Sequence, residues 1–302
     1  MNFTADSKVL IQGITEPLGA TYTTLMKEYG TNIVAGVSPG HRGEQWCGVQ
    51  VFDMVEQALE VIGPVTLSIL FVSPYLVLDA ALEAIEAGIR QLLLITEGVP
   101  PLDMVHLLRK AEVTETLVVG PNCPGIIVPG QVLLGTHPAE FYNPGAVGLI
   151  SRSGTLTYEV AYELTAAGLG QSICVGIGSD AIPGSSFSQW LQILDEDEQT
   201  EAIVLVGEMG GDGEEAAARY IAEAIDKPVV AYIAGRTIPR DRDLGHAGAI
   251  LASQLAGVTL DSAATNSFGS VESKIAALKR AKVPVADRPS QISKLVKKAL
   301  KQ

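Results

Sequence analysis

Positive charge, aromatic rings and cysteine are all scarce in this 302-residue chain. Lysine and arginine number 21 against 34 aspartates and glutamates, a formal charge of −13 at pH 7. A nucleic-acid binder needs a basic face and stacking surfaces. With aromatics at only 5%, the composition argues against that class, and the acidic balance argues against an anionic membrane surface. The three cysteines, Cys47, Cys123 and Cys174, have no CxxC spacing, so neither a disulfide framework nor a structural zinc site is expected. Long apolar runs are missing as well: Ser73-Pro74 and Thr96-Glu97-Gly98 interrupt the candidates, and no bilayer span is predicted. The opening residues carry no basic region followed by an apolar stretch, so no secretory signal is expected. A soluble, cytoplasmic protein is the expectation.

What the chain does have is apolar content, 47% of its residues, which excludes a largely disordered polymer. Its length has room for two domains. Val9-Leu10-Ile11 ends at Gly13, and a short turn leads into a helical stretch, Gly19–Tyr29. Further apolar strands are predicted at Asn32–Val37, Thr66–Val72, Gln91–Ile95 and Thr116–Val119. Helices are predicted between them at Asp53–Val61, Tyr75–Ala87 and Pro100–Lys110. Continuous apolar strands alternating with helices of this length read as crossover units on a parallel sheet. The Gly120-Pro121-Asn122-Cys123-Pro124-Gly125 cluster stops that series, and a looser stretch runs to Pro144. Alternation then restarts, with strands at Val147–Ser151, Ser172–Gly176, Ala202–Val206 and Val229–Ile233. Its helices fall at Thr155–Ala167, Ser185–Leu194 and Glu214–Ile225. A helix-rich tail, Ser270–Leu300, includes one short strand near Val283–Ala286. Its terminal lysines suit a solvated last helical turn. The expected class is therefore α/β, with a boundary near Gly125 separating 1–125 from 126–302.

Ligands bind at the carboxyl ends of such sheets, so the strand-to-helix turns carry the candidates. Gly13-Ile14-Thr15-Glu16-Pro17-Leu18-Gly19 lacks the GxGxxG spacing, and Ser38-Pro39-Gly40 after the second strand lacks the ribose-binding acid. A dinucleotide reading fails on both counts; another phosphate-bearing ligand or a plain tight turn remains. Ser151-Arg152-Ser153-Gly154-Thr155 follows a strand and opens a helix. Free N–H groups and small hydroxyls there make an anion cradle or an ordinary Ser cap. In Gly245-His246-Ala247-Gly248-Ala249 the imidazole has no bulk around it, as suits a nucleophile that carries a phosphoryl group. Glu208, just beyond a strand, is of the type that orients such a ring by accepting its other N–H. His106 and His137 read as structural.

Taken together, Ile95-Thr96-Glu97-Gly98, the Gly120–Gly125 cluster, Ser151 through Glu159, Gly207–Gly211 and Gly245 through Ile250 resemble the α subunits of succinyl-CoA synthetases (succinate–CoA ligases, nucleoside-diphosphate-forming). The resemblance runs from about Lys8 to the C-terminus. It implies an N-terminal Rossmann-like CoA-binding domain followed by a flavodoxin-like parallel α/β ligase domain. It implies a reversible reaction in which succinate, CoA and a nucleoside triphosphate give succinyl-CoA, diphosphate and phosphate. It also implies a separate β subunit, in an αβ complex or its dimer, holding Mg2+ with ATP or GTP. By position, His246 matches the phosphohistidine and Glu208 the carboxylate that orients it. Ser153 and Gly154 match a phosphate-binding helix start, and Tyr158 matches a substrate-proximal tyrosine. CoA contacts fall on Thr15, Glu16, Pro17, Leu18, His41, Ile95, Thr96 and Glu97, and Cys123 is expected as a small turn residue near the CoA thiol.

Three departures from the family pattern stand out. Typical members carry Thr-Gly-Ser-Gln-Gly where this chain has Thr15-Glu16-Pro17-Leu18-Gly19. Pro17 removes an N–H, and Glu16 brings negative charge to a phosphate site. His41, with Arg42 beside it, replaces a lysine. The flanks of His246 also differ, at Arg240–Leu244 and Ser253–Ser270. These changes keep open a ligase for another acid, such as malate or acetate, and a regulatory homologue that binds CoA without turnover.

Overall fold

The computed structural model describes residues 3–236 and 269–301. Contacts divide the chain into two units, Met1–Ala139 with Ile182–Ser185, and Glu140–Ala181 with Ser186–Gln302.

The first unit is built on β1 (Val9–Gln12), β2 (Ile33–Val37), β3 (Gln45–Trp46), β4 (Val49–Phe52), β5 (Leu67–Leu70), β6 (Gln91–Leu94) and β7 (Leu117–Val119). Across the sheet they run β3-β4-β2-β1-β5-β6-β7. Every pairing is parallel except the short β3–β4 ladder. Setting β3 aside, the parallel strands stand in the order 3-2-1-4-5-6, that of the dinucleotide-binding doubly wound fold. Strands β1 and β5 are buried along their whole length and read as near-continuous apolar runs; the polar side chains in them, Gln12 and Ser68, bond each other, the Ser68 hydroxyl donating to Gln12 Oε1 at 2.8 Å. Helices α1 (Pro17–Tyr29), α2 (Val55–Ile62), α3 (Val77–Glu86) and α4 (Pro101–Val113) supply the crossovers. Val77, Ala81, Ala84 and Ile85 form the apolar stripe of α3 and join Leu10, Leu70 and Leu92 in one core. Each leucine, isoleucine or valine among them contributes about 1.5–3 kcal/mol by leaving water, and each alanine methyl about 0.8 kcal/mol.

Two features were not anticipated. Val49-Gln50-Val51-Phe52 is a strand, with Val51 and Phe52 paired beside Gly36 and Val37 of β2. The stretch after Gly125 is a hairpin rather than a loose connection, with β8 (Gly125–Val128) antiparallel to β9 (Val132–Gly135). Its turn closes through the Gln131 N–H donating to the Val128 carbonyl at 3.0 Å, with Gly130 at φ +75°. Pro129-Gly130 is thus the Pro-Gly pair of a type II turn. The hairpin lies against the end of α1, where the Thr31 hydroxyl donates to the Leu133 carbonyl at 2.7 Å and accepts the Leu133 N–H at 3.1 Å. A four-residue return, Ile182–Ser185, completes the unit. There Ile182 packs on the core and the Gly184 N–H donates to the Gly120 carbonyl at 2.6 Å.

The second unit contains β10 (Pro144–Ser151), β11 (Gln171–Gly176), β12 (Ala202–Gly207), β13 (Val229–Ile233) and β14 (Val285–Ala286). Its parallel strands lie side by side as β14-β13-β12-β10-β11, the 2-1-3-4-5 order of flavodoxin-like sheets. Helices are α5 (Gly154–Ala166), α6 (Phe187–Glu196), α7 (Gly213–Ala224), α8 (Val271–Arg280) and α9 (Ile292–Ala299). Neighbours α6, α7 and α8 form one group, and α5 with α9 another. Among the described residues no helix is long and apolar enough to cross a membrane, and no group of histidine, cysteine and acidic side chains is arranged to hold a metal ion.

Candidate functional site

In the first unit the strand order reverses between β1 and β5, so the carboxyl ends of these strands open the ligand crevice of the fold. Gly13 ends β1 with φ +79°, a conformation favouring glycine, and its N–H donates to the Val37 carbonyl at 2.9 Å. Glu16 is the N-cap of α1 without a side-chain cap bond, and Pro17 is the first helical residue. A proline fits there because that N–H has no helical partner. As an anion cradle, the helix start is therefore left with the N–H groups of Leu18 and Gly19. Gly19 is forced by packing, since a Cβ would overlap the Gly13 carbonyl oxygen.

The expected CoA contacts lie along this edge. Thr15 and Ser38 share a hydroxyl hydrogen bond at 2.6 Å, tying the ends of β1 and β2. The Thr96 hydroxyl donates to the Val72 carbonyl at 2.7 Å, and the Asn122 N–H to the Thr96 carbonyl at 2.9 Å. Ile95 and Thr96 are half-buried, whereas Glu16, Pro17, Leu18 and Glu97 are exposed. After β2, Glu44 accepts hydrogen bonds from Trp46 Nε1 at 2.9 Å and from the His41 ring at 3.1 Å. The Trp46 bond, then the His41 bond, holds the Glu44 carboxyl below its ordinary range. His41 is thus fixed in a small acidic-aromatic cluster, and Arg42 beside it is exposed. Cys123 is buried, with its thiol 3.3 Å from the Leu94 carbonyl.

In the second unit the reversal falls between β10 and β12, and both expected features stand at those strand ends. Ser151 closes β10, and Ser153 caps α5 by accepting the Leu156 N–H at 3.4 Å. The Ser151 hydroxyl donates to the Ser153 carbonyl at 2.9 Å and accepts the Ser153 N–H at 3.2 Å. A Cβ added at Gly154 would meet none of the described residues within 4 Å, so among them nothing crowds the first residue of α5. That is the arrangement a helix start needs to receive an anion. Glu208 is buried directly after β12, and Tyr158 is half-buried on α5. His246, with its altered flanks Arg240–Leu244 and the stretch from Ser253 to Phe268, lies outside the described residues.

Sequence reasoning missed the side chains underneath. Glu214 is fully buried and Arg152 nearly so. Glu214 Oε1 accepts the Glu208 backbone N–H at 3.0 Å and an Arg152 Nη1 bond at 3.3 Å. Its Oε2 pairs with Lys274 Nζ, which is also fully buried. Glu214 is one of two acidic residues in the first turn of α7, a common and favourable place for a carboxylate, so nothing about its position sets it apart. Its signal was Gly207, where a Cβ would stand 2.6 Å from Glu214 Cγ.

Both sheets, each with its candidate site at the switch point, define a two-unit chain of the CoA-binding and CoA-ligase class. Residues 4–98 match the CoA binding domain family and residues 150–291 the CoA-ligase family. The chain is 45% identical over 294 residues to the succinate–CoA ligase (ADP-forming) subunit alpha 2 of Archaeoglobus fulgidus, covering 97% of each. It is 46% identical over 259 residues to the malate–CoA ligase subunit alpha of Methylorubrum extorquens, covering 84% of this chain and 87% of that one. In fold it is similar to an ATP citrate lyase from Methanosaeta concilii, solved with (3S)-citryl-CoA, at TM-score 0.85 and 22% identity; the match covers 100% of this chain and 50% of that one. The chain belongs to the succinate–CoA ligase α-subunit family.

Proposed function

We propose that this chain is the α subunit of an NDP-forming succinate–CoA ligase, working through a phosphohistidine at His246. The observation that carries the reading is the placing of Glu208 and the Ser153-capped start of α5 side by side, at the carboxyl ends of the neighbouring strands β12 and β10. Glu208 accepts one imidazole N–H and leaves the other nitrogen as nucleophile. That nitrogen takes the terminal phosphoryl group of a Mg-nucleoside triphosphate held by a β subunit, releasing the diphosphate. Ser153, its own N–H held by the Ser151 hydroxyl, fixes the helix start, and Gly154 offers its N–H to the phosphoryl oxygens. A succinate carboxylate, with Tyr158 beside it, then takes the phosphoryl group and frees the imidazole. The CoA thiol, losing its proton, attacks the acyl carbon and expels phosphate. CoA itself lies along Thr15–Leu18, His41 and Ile95–Glu97.

The test is incubation of the complex with its β subunit and γ-labelled Mg-ATP or Mg-GTP. An acid-labile, base-stable phosphate mapped to His246 and discharged by succinate plus CoA is the expected result. Full CoA-ligase turnover by a His246→Ala variant refutes the assignment. The 46% identity to a malate–CoA ligase subunit supports a second reading, in which malate is the acid. A panel of succinate, malate and acetate separates the two by kcat/KM.

A further inference from the structure

We infer that Arg152, Glu214 and Lys274 form a buried ionic clamp that positions Glu208 and the phosphate-binding helix start as one rigid piece. This rests on the proposed phosphohistidine reading and adds residues to it. The clamp touches the Glu208–Gly211 turn at three backbone points. Glu214 Oε1 takes the Glu208 N–H at 3.0 Å, Arg152 Nη1 donates to the Gly210 carbonyl at 2.7 Å, and Lys274 Nζ donates to the Gly211 carbonyl at 2.8 Å. A fourth hold comes from the Gly210 N–H, which donates to the Gly269 carbonyl at 2.9 Å. Glu215, 3.2 Å from Lys274 Nζ, completes a neutral set of two cations and two carboxylates.

Arg152 is also the residue immediately before the Ser153 cap, and its own N–H donates to the Val206 carbonyl of β12 at 3.0 Å. One carboxylate, Glu214, is therefore held by the chain that begins α5 and itself holds the chain that presents Glu208. Stability alone is a weak reason for such a set, because removing charges from water offsets most of what their attraction returns. What it does provide is geometry. A phosphoryl carrier and its donors must meet within fractions of an ångström, and a displacement of about 1 Å can cost a hundredfold in rate. Arg152, Glu214 and Lys274 touch no substrate in this scheme, so they are positioning residues.

The experiment compares Glu214→Gln, Lys274→Met, the double variant and Arg152→Lys in the complex with the β subunit. It measures the rate of His246 phosphorylation, kcat, KM for succinate and CoA affinity by calorimetry. Both single variants should lower phosphorylation and kcat about 10- to 100-fold and leave CoA affinity within about twofold. The charge-balanced double variant should recover part of the rate lost by Glu214→Gln, and Arg152→Lys should fall between wild type and the others. Should Glu214→Gln fail to fold, Arg152→Lys carries the test by the same readings. Variants that bind CoA, phosphorylate and turn over at wild-type rates while melting at lower temperature overturn the inference and leave the phosphohistidine reading standing. Wild-type protein that takes no phosphate on His246 overturns both.

Discussion

Acid should unfasten the first unit through a single ring, His137. The side chain is 2% exposed, and its Nε2–H donates to the Gly125 carbonyl at 3.0 Å. Burial pushes its pKa down from 6.5 to about 4, against the smaller opposing effect of the Gly125 bond. In the unfolded chain the same ring titrates near 6.5. Between these values the unfolded state holds a proton that the native state refuses, so stability falls as pH falls. The contribution is fully present above about pH 6.5 and is lost progressively toward pH 4, at about 1.4 kcal/mol per pH unit. The ring should thus cost the native state about 2 kcal/mol at pH 5 and about 3 kcal/mol at pH 4, relative to neutral pH. A His137→Gln variant keeps a donor for Gly125 and removes the titration. Urea unfolding of the first unit at pH 7.5 and pH 5.0 should show the wild type losing about 2 kcal/mol more than the variant. Hydrogen exchange of the Gly125–Val128 and Val132–Gly135 amides should register the same difference locally. Equal losses in the two proteins would refute the argument. The effect reaches the candidate CoA edge because Gly125 ends the turn in which the Asn122 N–H bonds Thr96.

Two further outcomes concern the start of α1. Gly19→Ala places a methyl on the Gly13 carbonyl. It should cost about 1–3 kcal/mol in stability and weaken CoA binding by at least about tenfold as the Leu18 and Gly19 donors shift; thermal melting and calorimetry check the pair. Glu16→Gln removes an exposed charge from a helix start that would face the phosphates of CoA. CoA should bind about two- to fivefold tighter in low salt, with the gain shrinking toward 1 M salt. An unchanged affinity would place those phosphates elsewhere.

Much of the architecture was readable because fully buried parallel strands write themselves as apolar runs. Val9–Gln12, Leu67–Leu70 and Ala202–Gly207 lie where the sequence predicts strands, with helices between them. The hairpin at Gly125–Val128 and Val132–Gly135 was obscured by its own punctuation. Pro129-Gly130 reads as a break, and only the apolar residues on both sides reveal a type II turn between strands. Strand Val49–Phe52 is as long as Val9–Gln12 and Leu67–Leu70, but the exposed Gln50 splits its apolar residues into Val49 and Val51-Phe52, leaving no run to read. Among the described residues, the Gly13–Gly19 and Ser151–Thr155 blocks lie where a strand ends and a helix starts; the His246 block lies outside them. Arg152, Glu214 and Lys274 escaped because charged side chains ordinarily mean solvent. Only the assembled sheet shows that these three meet out of water.

The return of Ile182–Ser185 to the first unit bears on how the protein can be divided. A fragment ending near Ala139 would lack Ile182, part of its own packing, and the carbonyl of Gly120 would lose the amide of Gly184. Its complement would display that same short peptide with nothing to cover it. Neither half is self-sufficient as a contiguous gene segment. Ribosomal synthesis therefore leaves the amino-terminal unit without its last segment until more than forty residues beyond Ala139 have been made, and a nick between Ala139 and Ile182 should leave the pieces associated.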